Sequence, residues 1–295
     1  MFHLKNHGTE QILFLICVVL AACFFPAHAA AQTGSADAYF GSLQQRLIAD
    51  GFDESGVRKL YGSGQAHFDT KNVSLYFVHR ESKLNYGQFL KRGPLERARL
   101  YMKTHNAELA AAEKNYGVDK RVITAILLVE TKLGTYVGRS SVLNILSTMS
   151  ALADMDVREM LWKKIAASTS LSKQAFEEKS GKKSAWAYKE LTAFLRYTYA
   201  ENISPLNIYG SYAGAMGICQ FMPSNILPLA KDGNGDGRID LFAHADAIMS
   251  VANYLKHYGW RSGMDSKMAY EVVYHYNHSK YYVNTILAIA ERLKG

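Results

Sequence analysis

The chain has 295 residues, 48% of them hydrophobic and 20% charged, which excludes a disordered or low-complexity protein and allows a substantial buried core. Thirty-four Lys and Arg against 26 Asp and Glu give a formal net charge of +8, which suits an anionic partner (nucleic acid, a membrane surface or an acidic polymer such as cell wall) without choosing among them. Only five prolines interrupt a sequence rich in helix formers, so the expected fold class is mainly α.

The first 31 residues read as a leader. Lys5 precedes an apolar run from Ile12 to Phe25, a length that matches a signal peptide and falls short of the ~20 residues of a membrane span. Ala27-His28-Ala29 is an A-x-A cleavage site, and Leu20-Ala21-Ala22-Cys23 reads as a lipobox that would make Cys23 a lipidated N-terminus. Phe24 and Phe25 continue the apolar run past Cys23 and favour simple cleavage. Both readings send the chain out of the cytoplasm, to a periplasmic or outer-membrane-associated site. Cleavage after Ala29 leaves Cys219 as the single cysteine, which rules out an intrachain disulfide and a cysteine-based zinc site. The expected organisation is a leader over 1–29, an N-terminal helical region over 30–115, and a second unit over 116–295.

From Gln44 to about Tyr116 the pattern is amphipathic and helical, broken near Gly62-Ser63-Gly64 and at Gly93-Pro94, with Leu95 to Tyr116 reading as one long helix. Asp119 stands as an N-cap before Val122 to Val129, which is apolar nearly all round and so belongs to a buried helix. Glu130 ends this run, and Gly134 reads as its C-cap. Lys163 to Lys183 is rich in Lys and Ser and reads as a solvated insertion or helical arm. Helix returns from Ala185 to Tyr199, from Ala245 to Tyr258 and from Tyr282 to Leu293, with room for no more than a minor hairpin elsewhere.

Four stretches carry chemistry. A carboxylate at the end of an all-apolar helix is costly to ionise, so Glu130 reads either as a general acid held protonated or as a buried acid paired with a base. Gly210 to Ser224 (GSYAGAMGICQFMPS) is rich in small residues; Ser211 and Gln220 could address a ligand there, or the loop could simply pack tightly. Asp232 to Asp240 follows D-x-N-x-D-G, the start of a calcium loop, with Asp232, Asn234, Asp236 and the Arg238 carbonyl as ligands. Ala243 replaces the closing Glu, and Asp246 is the substitute; a plain acidic turn is the other reading. Finally, Tyr274 to Tyr282 (YHYNHSKYY) suits sugar stacking and equally an aromatic core helix. His275 and His278 lack a third ligand, which argues against a metal there.

In this order Val129-Glu130-Thr131, Gly134, the Gly210–Ser224 loop, the Asp232 loop, Val251 to Trp260 (VANYLKHYGW) and Tyr276 to Ser279 (YNHS) resemble the membrane-bound lytic transglycosylase B family. The resemblance implies a lysozyme-like catalytic domain with an N-terminal helical subdomain. It implies non-hydrolytic cleavage of the β-1,4 bond between N-acetylmuramic acid and N-acetylglucosamine in peptidoglycan, ending in 1,6-anhydromuropeptides. By position Glu130 carries the catalytic role, and Ser211, Gln220, Tyr254, Tyr276, Asn277 and Tyr282 line the glycan groove. The acidic loop's own ligand pattern points to structural Ca2+, no organic cofactor is expected, dispersed lysines without a nucleic-acid motif leave glycan strands rather than nucleic acid as the expected partner, and a monomer is expected. A lysozyme-type hydrolase and a non-catalytic glycan-binding protein are the alternatives. Most glycosidases use two carboxylates; no matched motif outside the acidic loop supplies a second, and Asp154 and Asp156 are the candidates elsewhere. Leu133, Cys219, the lysine-rich stretch from Lys163 to Lys183 and the short link between Trp260 and Tyr276 depart from the family pattern.

Overall fold

The structure, a computed structural model, describes residues 36–78 and 85–294; Cys23 and the Ala27–Ala29 site lie outside the described residues. Among these, thirteen α-helices and one pair of two-residue strands make the mainly α fold. Its centre is α6 (Lys120–Thr131), where the Asp119 carboxylate caps the first turn by accepting from the Arg121 amide. Every residue from Val122 to Thr131 is buried, as an apolar run with no polar face requires. Packed around α6 are α4 (Arg92–Thr104), α5 (Asn106–Tyr116), α11 (His244–His257) and α13 (Lys280–Arg292).

A second buried helix, α7 (Val142–Ala151), organises the other half. It packs on α1 (Ala36–Ala49), α3 (Thr70–Val78) and the 28-residue α9 (Lys173–Ala200), with α2 (Glu54–Tyr61) against α1. The polar residues of α7 are satisfied by the chain that crosses them. Asn144 accepts from the His67 amide and donates to the Gln65 carbonyl, Ser147 shares a hydrogen bond of 2.7 Å with Tyr61, and Thr148 accepts from the Asp69 amide. A helix buried all round can carry such residues only with partners in place.

Several local expectations change. The stretch 95–116 is two helices, since His105 leaves helical geometry (φ −105°, ψ 33°) with its ring 4.5 Å from that of His244. Gly93-Pro94 lies inside the first turn of α4, where proline loses no intrahelical donor. Of the two readings of the lysine-rich stretch, the helical one holds and the solvated insertion does not: it closes α8 (Met155–Ile165) and opens α9, where Phe176 is fully buried beside Trp162 and Phe77. Lysine stems there cover aromatic faces, Lys179 over Phe77 and Lys183 over Trp186. Nor do the strands form a hairpin: β1 (Ser140–Ser141) pairs antiparallel with the distant β2 (Tyr209–Gly210).

Candidate active site

Glu130 sits one residue before the end of α6, and its side chain is buried to 1% exposure. Burial pushes its carboxyl up from 4.5 to about 8, against the smaller opposing effect of a 2.6 Å hydrogen bond donated by the Tyr282 hydroxyl to its Oε1. Such a group is protonated at neutral pH and can release a proton to an acceptor that enters the site. The negative end of the α6 dipole acts in the same direction.

The chain leaves α6 through three consecutive positive-φ residues, Lys132, Leu133 and Gly134. The cap is therefore Lys132, not Gly134. Thr131 fixes this exit: its hydroxyl donates to the Ile218 carbonyl at 2.8 Å and accepts from the Gly134 amide at 2.9 Å.

Ile218 belongs to the Gly210–Ser224 loop, which is anchored on every side. The Ile218 amide donates to the Leu241 carbonyl, and the Tyr276 hydroxyl donates to the Cys219 carbonyl at 2.6 Å. Gln220, itself at φ 52°, donates from Nε2 to the Val137 and Gly217 carbonyls. Gly217 (φ 75°) is obligatory, because a Cβ there would stand 2.4 Å from that of Leu241. Ser211 is partly exposed and accepts from the Ala213 and Ala215 amides, so its hydroxyl shapes the turn.

The aromatic stretch resolves into a helix junction. α12 (Ser266–Tyr276) ends at Asn277, and Ser279 caps α13 by accepting from the Tyr282 amide. Tyr276 and Tyr282 are buried with rings parallel, 6.4 Å apart, and Tyr254 meets Tyr276 edge-on at 4.8 Å while donating to the His275 carbonyl. Glu130, Tyr282, Tyr276 and Tyr254 are thus linked in one continuous cluster, with buried Asn277 adjoining it. Each phenol is pushed well above its ordinary range by burial.

Sequence reasoning missed Tyr86, whose ring stands edge-on to Tyr282 at 6.3 Å, and the carbonyls of Ile218 and Cys219 as anchors. Backbone acceptors leave no trace in residue identity, whereas Tyr86 carries only the weak signal of one tyrosine beside a helix start. The candidate second carboxylates lie elsewhere. Asp154 caps α8 and accepts from the Ser42 hydroxyl, and Asp156 lies exposed in the first turn of that helix. Glu190, a buried acid, accepts from both the Ser224 amide and its hydroxyl at the start of α10 (Pro223–Leu229). Glu130 owes its upward shift to burial, which the Tyr282 hydrogen bond opposes, rather than to another carboxylate.

The acidic loop closes on itself. Asp232 accepts from the amides of Gly235, Asp236 and Gly237, which together with the surrounding dipoles hold its carboxyl below the usual range. Asn234 and Asp236 pair, and the Arg238 amide donates to Asp236. Buried Asp246, in the first turn of α11, accepts from the Gly233 and Asp240 amides and so ties both ends of the loop together. Its carboxyl is raised, by burial first and then by repulsion from Asp232 and Asp236. No cluster of three His, Cys, Asp or Glu in metal-holding geometry occurs among the described residues. The loop nevertheless fits a hard cation in donor chemistry, with carboxylate and amide oxygens in one short loop and repulsion at Asp246 from Asp232 and Asp236.

Comparison with known proteins bears on this arrangement. The chain is 32% identical over 176 residues to membrane-bound lytic murein transglycosylase B of Escherichia coli (strain K12), covering 60% of this chain and 41% of that protein. It therefore spans about two fifths of the length of that relative. Its fold matches Escherichia coli lytic transglycosylase Slt35 in complex with calcium (TM-score 0.68, 22% identity, 89% of this chain and 93% of that one). It also matches SltB3 from Pseudomonas aeruginosa in complex with NAG-anhNAM-pentapeptide (TM-score 0.69, 19% identity, 88% and 80%). The lysozyme-like helical fold expected from the motifs is thus the fold of this chain. With the family model for the transglycosylase SLT domain matching residues 35–269, the chain belongs to that family.

Proposed function

We propose that this protein is a lytic transglycosylase that cleaves the β-1,4 MurNAc–GlcNAc bond of peptidoglycan and releases 1,6-anhydromuropeptides, with Glu130 as its sole acid and base. The observation that carries the reading is a fully buried carboxyl, raised to about 8, in a hydrogen bond with Tyr282. Protonated Glu130 donates to the glycosidic oxygen as the C1–O bond breaks. The resulting carboxylate, held by the Tyr282 hydroxyl, then takes the proton of the muramoyl C6 hydroxyl as that oxygen closes on C1. The proton count balances, and Glu130 returns to its acid form. One residue serves both steps, which accords with Asp154 and Glu190 being engaged elsewhere and Asp156 lying exposed in α8. Tyr254, Tyr276, Asn277, Ser211 and Gln220 would frame the glycan, the last two by fixing the loop backbone that faces it.

Asp232, Asn234, Asp236, the Arg238 carbonyl and Asp246 would hold Ca2+, which would relieve the repulsion at Asp246 and stiffen the loop. The murein substrate puts the protein outside the cytoplasm, reached by cleavage after Ala29 or by lipidation of Cys23, and a monomer suffices because the cluster is complete in one chain. No helix among the described residues is long and apolar enough to cross a membrane.

The test is mass spectrometry of soluble products from peptidoglycan, wild type beside Glu130→Gln. Anhydromuropeptides from wild type alone are expected. Reducing-end products would replace this reading by lysozyme-type hydrolysis, and turnover by the variant would remove Glu130 from its role.

A further inference from the structure

Among the described residues three carboxyls are buried to 1% exposure, those of Glu130, Asp246 and Glu190. The proposed function gives the first two a task and leaves the third without one. A buried carboxyl is costly unless its oxygens are satisfied. Both oxygens of Glu190 go to a single residue: Oε2 accepts from the Ser224 amide and Oε1 from the Ser224 hydroxyl, each at 2.8 Å. The helices packed along α9 on this side, α7 and α10, carry no ionisable side chain to offer it a counter-charge. Burial raises its carboxyl, and the two bonds from Ser224 oppose that rise.

Ser224 is the last residue of the Gly210–Ser224 loop. The first residue of that loop is held by the β1–β2 pairing, and its middle offers the Ile218 and Cys219 carbonyls to Thr131 and Tyr276. Between that middle and Ser224 the chain has little slack. Phe221 exchanges both backbone hydrogen bonds with Met216, Phe221 and Met222 are buried, and Pro223 has its φ fixed by its ring. A displacement at Ser224 therefore reaches the two carbonyls. The same helix grips the acidic loop, since Tyr197, two turns beyond Glu190 on one face of α9, donates to the Ile239 carbonyl at 2.8 Å.

We infer that Glu190 is a positioning residue for the candidate reaction: through Ser224 it fixes the loop carbonyls that Thr131 and Tyr276 hold, and with them the placing of Glu130 against the glycan. The inference rests on the proposed function, whose reaction it serves. It requires the reach of the Glu190 side chain more than its charge.

Variants that separate reach from charge test it. Glu190→Asp keeps the charge and withdraws the acceptor by about 1.5 Å, the length of one carbon–carbon bond. It should lower kcat about tenfold at unchanged KM, since misplacement on this scale is felt at reacting groups. Glu190→Gln keeps the length and an acceptor for the Ser224 amide, and should recover most of that loss. Ser224→Ala deletes the hydroxyl from the loop side and should lower kcat by about threefold. Amide hydrogen exchange supplies a readout that needs no turnover, at Gly134, which donates to Thr131, and at Ile218, which donates to Leu241. Both amides should exchange about tenfold faster in Glu190→Asp, with Leu127 inside α6 unchanged. Wild-type kcat and exchange in both Glu190→Asp and Ser224→Ala would overturn the inference, and so would a Glu190→Gln variant no better than Glu190→Asp. Faster exchange in a protein whose wild type releases no anhydromuropeptide would refute the proposed function while the hold of Glu190 on the loop stood.

Discussion

Replacing Glu130 by glutamine should stabilise the protein, and by an amount that grows with pH. The folded state holds this carboxyl at about 8 while the unfolded chain titrates near 4.5. Between those values the folded protein retains a proton that the unfolded chain gives up. Stability is therefore full below about 4.5 and is lost as pH rises to about 8. At pH 7 about two and a half units of that interval have been crossed; at ~1.4 kcal/mol per unit the loss is about 3 kcal/mol. Glutamine keeps the shape and the acceptor for Tyr282 but does not titrate. Urea unfolding should give nearly equal stabilities near pH 4.5 and a variant about 3 kcal/mol more stable near pH 7. A difference independent of pH would mean that Glu130 is not the buried neutral acid described, and the catalytic reading would lose its foundation.

Removing the Tyr282 hydroxyl with Tyr282→Phe takes away the one interaction that lowers the Glu130 pKa, so the alkaline limb of the pH–rate profile should move up by about one unit; an unmoved limb would refute the coupling. Thr131→Val strands the Ile218 carbonyl and the Gly134 amide and should cost about 2 kcal/mol in thermal or urea unfolding, with reduced turnover at unchanged substrate affinity. Asp246→Ala frees the Gly233 and Asp240 amides and should destabilise by about 2 kcal/mol without calcium and by more with it, read as the melting temperature with and without chelator; a gap indifferent to calcium would reduce the loop to a turn.

Periodicity and the Asp119 cap made α6 legible up to its C-terminal cap, because an apolar run after Asp119 allows no other buried element. The same reasoning joined 95–116 into one helix. Nothing in the local pattern of His105 reports that its ring packs against His244, more than a hundred residues away. In the lysine-rich stretch the solvated reading, unlike the helical one, failed for a related reason. Composition registers charge, but Phe176 and the cation–π pairs that bury lysine stems depend on where Phe77 and Trp186 fall in space. At the site, Glu130 and the tyrosines were readable as residues, whereas their arrangement was not. The direct bond from Tyr282 to Glu130 joins positions 152 apart, and the remaining anchors are backbone carbonyls.

Those carbonyls explain why a glycine-rich loop can serve a site that demands rigidity. Glycines at 214 and 217 permit the positive-φ turns and the close approach to Leu241, but they leave the chain conformationally free. Between Gly217 and Gln220 the backbone takes hydrogen bonds from Thr131 at the end of the catalytic helix, from Tyr276 at the end of α12 and from Gln220 itself, and its Ile218 amide bonds to Leu241 at the exit of the acidic loop. Three elements that each carry part of the candidate chemistry are thereby held to one four-residue stretch. Asp246 then secures the acidic loop to α11, whose own Tyr254 leans on Tyr276. A cation at that loop would act on Glu130 through this route, by stiffening the Leu241 end of the stretch that Thr131 grips. Weakening Thr131 should therefore make turnover less sensitive to calcium, because it cuts the hydrogen bond that joins this stretch to the residue next to the acid.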